Sequence, residues 1–470
     1  MLSLMREGDD LNGIRFRPGC YFQLGRGSNA SPAAAVNDLA TVTAPTTGEL
    51  ATTPGLRGVQ IRYGWAEFEA TEGVYDFTEL RTHLTDLLAA RPNDPPLLSI
   101  LLQCKTFVDT QHVVPAWMRN STYGEGEHKY AETDGGAADG YIVAFNNANV
   151  RAKFALLAAA LGREFADNPQ IELIGITEMN IPGIAVDGVG TVAAAMSGHL
   201  EGGFSCHGYL RDAFPRTILR QILNYPKGDI AALISTYVAA GIGIGAADIF
   251  QDEIQLEYTA GQGAGIYDHM RTYSGDVPIV AEFQNKNFIY SNLARRVNPT
   301  NGWGASCTVS DAGGGNTLLS SATIDHGLNS ADTTEYLNID GTLDAIIKVN
   351  NSGGGWSAGN LTIVSVPTSK NIVVSHTYAG ETAPTGLLEA AVTAYPLTNQ
   401  TYVPNARTCT GYVPTIAQLV GFARQEFTGL THMIFTRLTS TSVLDTETHN
   451  LRVRKYINSS LAKYGKAGGC

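Results

Sequence analysis

Short apolar runs alternate with longer amphipathic runs along most of this chain. The first apolar run, GCYFQL, covers Gly19–Leu24, and GVQIRYGW follows at Gly58–Trp65. Helical spacing then holds from Phe77 to Ala90, before the apolar run PLLSILLQC at Pro96–Cys104. A long loop containing VVPAWM leads to a helix near Val150–Ala166 and to IELIGIT at Ile171–Thr177. After a Gly- and Ala-rich loop or short helix come TILRQILNY (Thr217–Tyr225), a helix over Ile230–Ala240, GIGIGAADIF, and VPIVAEF ending at Phe283. Far downstream lie a helix over Pro414–Thr428, the run THMIFTRL, and a last helix near Leu451–Tyr464. Runs of this length bounded by turn residues and separated by helices read as buried parallel strands with helical crossovers. Eight strand–helix units in order is the count of a (β/α)8 TIM barrel, so the predicted class is α/β.

One segment breaks the rhythm. From about 296 to 410 helical periodicity is lost, and Gly, Ser, Thr and Asn dominate. TLDAIIKV, NLTIVSV and NIVVSH read as short strands between turns such as NNSGGG. That is too long for a plain loop. The expected organisation is a barrel from 1–295 and 411–470, with a β-rich insertion at 296–410 between strand seven and its helix.

Composition narrows the class. The chain has 470 residues, 44% apolar and 16% charged, with 51 glycines, which suits a large α/β enzyme with long loops. A formal net charge of −12 opposes binding to polyanions, so no nucleic-acid partner is expected. No apolar stretch is long enough for a membrane helix, and MLSLMREGDDLNGIRF lacks the apolar centre of a secretory signal. A soluble protein, cytoplasmic or phage- or virion-associated, is the corresponding expectation. The six cysteines fall at 20, 104, 206, 307, 409 and 470 without a CxxC pair, so no metal site is expected. Cys20 and Cys104 read as small core residues, and Cys307 and Cys409 stand at the two ends of the insertion, where a disulfide would close it.

Two carboxyls stand where a barrel displays chemistry. Glu178 follows the apolar strand IELIGIT, and Glu282 ends VPIVAEF. Carboxylates beside apolar strands are costly unless paired or solvated, and a rim salt bridge would account for either one alone. Together they fit retaining glycoside hydrolysis, which needs one protonated and one ionised carboxyl on opposite sides of an anomeric carbon, about 5–5.5 Å apart.

With these residues in view, the layout resembles the large clan of (β/α)8 retaining glycoside hydrolases over roughly residues 15–295 and 411–465. VQIRYGWAEFEATEGVYDF is similar to a strand-two signature of several such families, through Trp65, Glu67 or Glu69, Gly73, Tyr75, Asp76 and Phe77. VPAWM, with Pro115 and Trp117, is similar to their loop after strand three. The resemblance implies that Glu178 is the acid/base, that Glu282 is the nucleophile, and that Arg62 orients and keeps it ionised. Two positions depart from it: Thr177 stands where many members have Asn, and Gln103 and Lys105 stand where a His is frequent. Aromatic residues near strand ends, Tyr63, Trp65, Trp117, Phe288 and Tyr290, are candidate sugar platforms. Thr177, Asn180, Asn224, Asp248, Asp252, Gln284 and Asn285 are candidate contacts to hydroxyls, with Gln103 and Lys105. His207, His269 and His432 read as structural.

The expected function is therefore hydrolysis, with retention, of a β-linked oligo- or polysaccharide, without metal or organic cofactor. The sequence leaves open a non-catalytic carbohydrate-binding or structural barrel, as in a phage tail or surface component. A lyase or aldolase barrel would call for a Schiff-base lysine, for which only Lys105 and Lys286 are near strand ends.

Overall fold

A computed structural model of the chain describes residues 10–11, 14–24, 39–106, 108, 110–130, 140–178, 192–223, 227–249, 264–284, 307–323, 345–349, 354–357, 359–368, 370–382, 388–392, 429–437, and single positions at 420, 423, 424, 427, 450, 453, 454 and 456–458. Eight strands close into a barrel: β1 (Gly19–Gln23), β2 (Leu56–Gly64), β3 (Leu97–Gln103), β4 (Ile171–Ile176), β5 (Ile218–Ile222), β6 (Gly243–Ala246), β7 (Ile279–Phe283) and β8 (Leu430–Thr436). Every neighbouring pair is parallel, and β8 pairs with β1 to complete the ring. The chain folds as the expected (β/α)8 barrel. Strands such as β3, LLSILLQ, are mostly apolar because helices cover one side of the sheet and the barrel interior fills the other.

Helices α1 (Thr78–Ala90) and α2 (Ala148–Phe165) bury one stripe each, Leu80, His83, Leu84 and Leu87 on the first and Val150, Phe154, Leu157 and Leu161 on the second. The Asn147 side chain caps α2 by accepting from the Asn149 and Val150 amides. The segment expected as a Gly/Ala-rich loop or short helix before strand five is instead the 22-residue α3 (Val192–Ala213). Its glycines lower helix propensity, but at Gly202 the missing side chain is needed for packing. A Cβ on Gly202 would lie 2.0 Å from the Phe145 carbonyl oxygen, and one on Gly162 of α2 would lie 2.5 Å from that of Ala213. Helices α4 (Lys227–Ala239) and α5 (Ile266–Thr272) follow β5 and β6. Most of the helices expected over 414–428 and 451–464 lie outside the described residues.

The barrel interior is layered. Tyr21, Leu97, Leu173, Ile218, Val280 and Ile434, one from each of six strands, form an apolar cluster that Phe16 joins from the segment before β1. On several strands the inward side chain one step further along is polar and buried, as at Ser99, Arg220 and Glu282, and Gln60 of β2 joins them.

The chain divides into two compact units, one of 1–284, 423–439 and 454–470, the other of 285–422 and 440–453. The second contains a six-stranded antiparallel sheet in the order 307–313, 316–321, 371–374, 359–368, 345–349, 388–392. Cys307 is a buried free thiol, so the envisaged bridge to Cys409 is not formed. Cys20 is fully buried as expected for a core residue, but it is disulfide-bonded, to a residue outside the described ones. No helix among the described residues is long and apolar enough to cross a membrane.

Candidate active site

Side chains alternate along β7, so Val280 and Glu282 share its inner face while Ala281 and Phe283 face the helices. Val280 joins the apolar layer, and Glu282 stands one step nearer the C-terminal mouth, its side chain 3% exposed. A buried carboxylate must be compensated. Here Arg220 of β5 donates from Nη2 to Glu282 Oε1 at 2.9 Å, and Gln60 of β2 donates from Nε2 to the same oxygen at 3.1 Å. Gln60 Oε1 in turn accepts from Arg220 Nη2 and, at 3.2 Å, from the Ser99 hydroxyl of β3. Four strands thus hold one carboxylate. Gly175 of β4 makes room for Arg220: a Cβ there would meet the Arg220 carbonyl oxygen at 2.8 Å and its Cγ at 3.0 Å.

Glu178 lies two residues past β4 and is 14% exposed, paired through Oε1 with Lys105 Nζ at 2.9 Å. Lys105 is buried just after β3, and its ammonium also sits 4.7 Å from the centre of the Tyr130 ring. Tyr130 belongs to a two-stranded ribbon (127–130 and 140–143) within the loop that follows β3. Arg62, partly exposed on β2, donates from Nη2 and Nε to the Gln23 side-chain oxygen at 2.8 and 3.0 Å, with the Gln23 amide turned to face it. Desolvation lowers the Arg62 pKa from its ordinary value. The Glu282 and Glu178 charges pull it upward, and Arg220 opposes them. Arg62 is therefore electrostatically coupled to both carboxylates, although the direct bond to Glu282 comes from Arg220.

The other expected site residues divide. Thr177 is buried, its hydroxyl oxygen accepting from the Cys104 amide at 2.8 Å and its carbonyl from Gln221 Nε2 at 3.3 Å. Gln103 ends β3, with Nε2 donating to the Lys105 carbonyl at 3.4 Å. Asp248 and Gln284 are partly exposed just past β6 and β7, and the Asp248 carbonyl accepts from the Tyr267 hydroxyl at 2.9 Å. Asn180, Asn224, Asp252, Asn285, Lys286, Phe288 and Tyr290 lie outside the described residues.

Tyr63 and Trp65 are placed elsewhere than a sugar platform requires. Tyr63 points outward from β2, fully buried, hydrogen-bonded to His83 of α1 at 2.8 Å and stacked on Phe68. Trp65 is 3% exposed, edge-on to Phe154 of α2, and donates from Nε1 to Glu69 Oε2 at 2.8 Å. The parity of the strand explains Tyr63: Gln60 and Arg62 face in, so Ile61 and Tyr63 face out. Glu69 also accepts from the Gly73 amide at 2.8 Å, and its carbonyl accepts from Trp117 Nε1 at 3.0 Å. The strand-two motif and the VPAWM turn therefore brace one another, and Trp117 remains partly exposed. His207 serves the structure, facing the Gly203 and Arg220 carbonyl oxygens.

Gln60 and Arg220 are site residues that reasoning from the sequence misses. The signal is present, since a polar side chain at an inward position of an apolar strand, as in VQIRY and ILRQI, marks a satisfied buried network. Among the described residues no three His, Cys, Asp or Glu side chains converge as a metal site would require.

Fold and site together define a (β/α)8 barrel with a charged cluster at the C-terminal ends of its strands, the end at which such barrels carry their active sites. No protein-family model matches the chain, and neither does any curated protein. Solved structures similar to it include the catalytic domain of a β-amylase from Paenibacillus polymyxa, 11% identical with a TM-score of 0.39, covering 58% of this chain and 88% of that one. The endo-glycoceramidase II of Rhodococcus sp. is 12% identical with a TM-score of 0.36, covering 82% and 99%. A β-galactosidase from Rahnella sp. R3 is 13% identical with a TM-score of 0.37, covering 64% of this chain and about half, 49%, of that one. These neighbours are glycoside hydrolases.

Proposed function

We propose that the protein is a retaining glycoside hydrolase acting on a β-linked oligo- or polysaccharide, with Glu282 as nucleophile and Glu178 as acid/base. The observation that carries this reading is the placement of Glu282. It is held inside the barrel by Arg220 and Gln60 on Oε1, while Glu178 stands partly exposed at the end of β4. In the first step Glu282 Oε2 bonds to the anomeric carbon. The bond to the leaving oxygen breaks, and Glu178 supplies that oxygen with its proton. In the second step Glu178 takes a proton from water, whose oxygen displaces Glu282. Fixing Oε1 by two donors preorganises Oε2 for in-line attack.

Arg62, Gln103, Lys105, Trp117, Thr177, Asp248 and Gln284 remain the proposed substrate contacts, with Asn180 and Asn224 beside them on sequence grounds. Tyr63 and Trp65 are left to packing. The β-rich segment at 296–410 is assigned carbohydrate binding or assembly.

Glu282→Gln keeps the shape and the Gln60 and Arg220 neighbours but removes the nucleophile. It is expected to lower turnover at least ~10³-fold. Proton NMR of the first-formed product with wild-type protein should show the substrate's own anomeric configuration. Inversion would overturn the two-step mechanism. Binding of glycans without any product would favour the non-catalytic barrel.

A further inference from the structure

The end of the barrel opposite the two carboxylates gathers arginines around a cavity. The cavity measures about 240 Å³ and is lined by Arg17, Arg57, Arg91 and Asp94, together with Leu97 and Pro169. The arginines come from three elements. Arg17 stands two positions before β1, Arg57 is the second residue of β2, and Arg91 directly follows α1. Leu97 is the first residue of β3 and Pro169 lies just before β4, so the cavity sits where the parallel strands begin. Arg17 is fixed by Glu172, donating from Nε to Oε2 at 2.9 Å, and by the Pro169 carbonyl oxygen, which accepts from Nη2 at 2.6 Å. Arg91 is 14% exposed and donates from Nη1 to the Pro54 carbonyl oxygen at 3.2 Å. Its Nε is buried with no hydrogen-bond partner among the described residues. A buried charged donor in that state is costly. Asp94 does not relieve it. Its Oδ2 lies 3.9 Å from Arg91 Nη2, past hydrogen-bond distance, on a side chain 66% exposed, and so loose a surface pair contributes little. Burial lowers the Arg91 pKa, Asp94 raises it, and the neighbouring Arg57 lowers it again, as like charges held together do.

We propose that this cavity binds a tetrahedral oxyanion of the phosphate class, free or as the phosphoryl group of a larger ligand, held by Arg91 together with Arg57 and Arg17. A single planar fork satisfies a carboxylate, whereas guanidinium groups brought in from three elements suit an anion with oxygens on several sides. One ligand oxygen accepts from Arg91 Nε, and the anion takes the place of Asp94 beside Nη2. Arg17, already fixed by Glu172 and Pro169, loses little freedom when the anion arrives.

The test is thermal unfolding and titration calorimetry of the full chain with inorganic phosphate, glycerol phosphate, acetate and chloride at matched ionic strength. Inorganic phosphate is expected to raise the unfolding midpoint saturably, while acetate and chloride do not. A response to glycerol phosphate alone would support the site as one for the phosphoryl group of a larger ligand. Arg91→Gln should weaken binding at least about 10-fold. Asp94→Asn removes the competing carboxylate and should tighten binding several-fold, which a merely structural pair would not do. If Arg91→Gln does not fold, Asp94→Asn decides. No response to either phosphate, an equal response to acetate or chloride, or binding that neither substitution changes would overturn the proposal. The cavity shares no residue with the candidate active site, so none of these outcomes bears on hydrolysis.

Discussion

Glu282 and Arg220 form a buried pair whose members depend on one another unequally. Removing a buried cation while leaving its carboxylate uncompensated costs about 3–5 kcal/mol, whereas removing both charges costs far less. Arg220→Met is therefore expected to destabilise the fold by about that amount in urea denaturation. The double variant Arg220→Met with Glu282→Gln should recover most of the loss. An additive double variant would show that the two side chains are not coupled as their 2.9 Å contact implies. At this scale Glu282 is legible in the sequence because a lone carboxylate ends an apolar strand. Its partners are less so. Arg220 lies 62 positions away and Gln60 222 positions away, and nothing local links them. Tyr63 is misplaced by the sequence for the same reason that Gln60 is missed: which parity of β2 faces inward is set by its neighbours in the barrel.

Helix α3 shows how an element can oppose its own propensities. Glycine inside a helix normally costs up to ~1 kcal/mol relative to alanine, so Gly→Ala should stabilise. At Gly208 an added Cβ would meet no atom within 4 Å, and that gain is expected in thermal unfolding. At Gly202 the new carbon would fall 2.0 Å from a backbone oxygen, and overpacking of this kind costs about 1–3 kcal/mol. Gly202→Ala is thus expected to destabilise while Gly208→Ala stabilises. Equal effects would mean that α3 does not pack on Phe145 as closely as described. At the N-terminus of α2, Asn147→Ala should cost about 1 kcal/mol through the lost cap to the Asn149 and Val150 amides. The strand-two motif belongs here too. In the sequence Glu69 reads as part of a site signature, and the contacts show it tying together the Trp65, Gly73 and Trp117 ends of two loops.

For the molecule as a whole, acid should unfold the barrel through its buried histidines. His199 of α3 is fully buried, stacked on Phe145, and its pKa is lowered to about 3, chiefly by desolvation and then by His128 and Lys105. Burial lowers His207 as well. A histidine held neutral in the fold contributes its full stability above its unfolded pKa near 6.5. For His199 that contribution is lost as pH falls from there toward 3, by up to ~1.4 kcal/mol per unit. Denaturation midpoints should therefore decline below about pH 6.5, and His199→Phe should flatten the slope. An unchanged slope would remove His199 as its cause.

The number and order of the barrel strands and the two carboxylates at their ends were determined by the sequence alone, because burial on both sides of a parallel strand leaves an apolar run that local inspection can see. The tertiary structure alone decided which side chains meet Glu282 and that Tyr63 and Trp65 serve packing. Those outcomes depend on strand parity and on residues from four strands converging in one closed ring. Such contacts have no sequence period of their own.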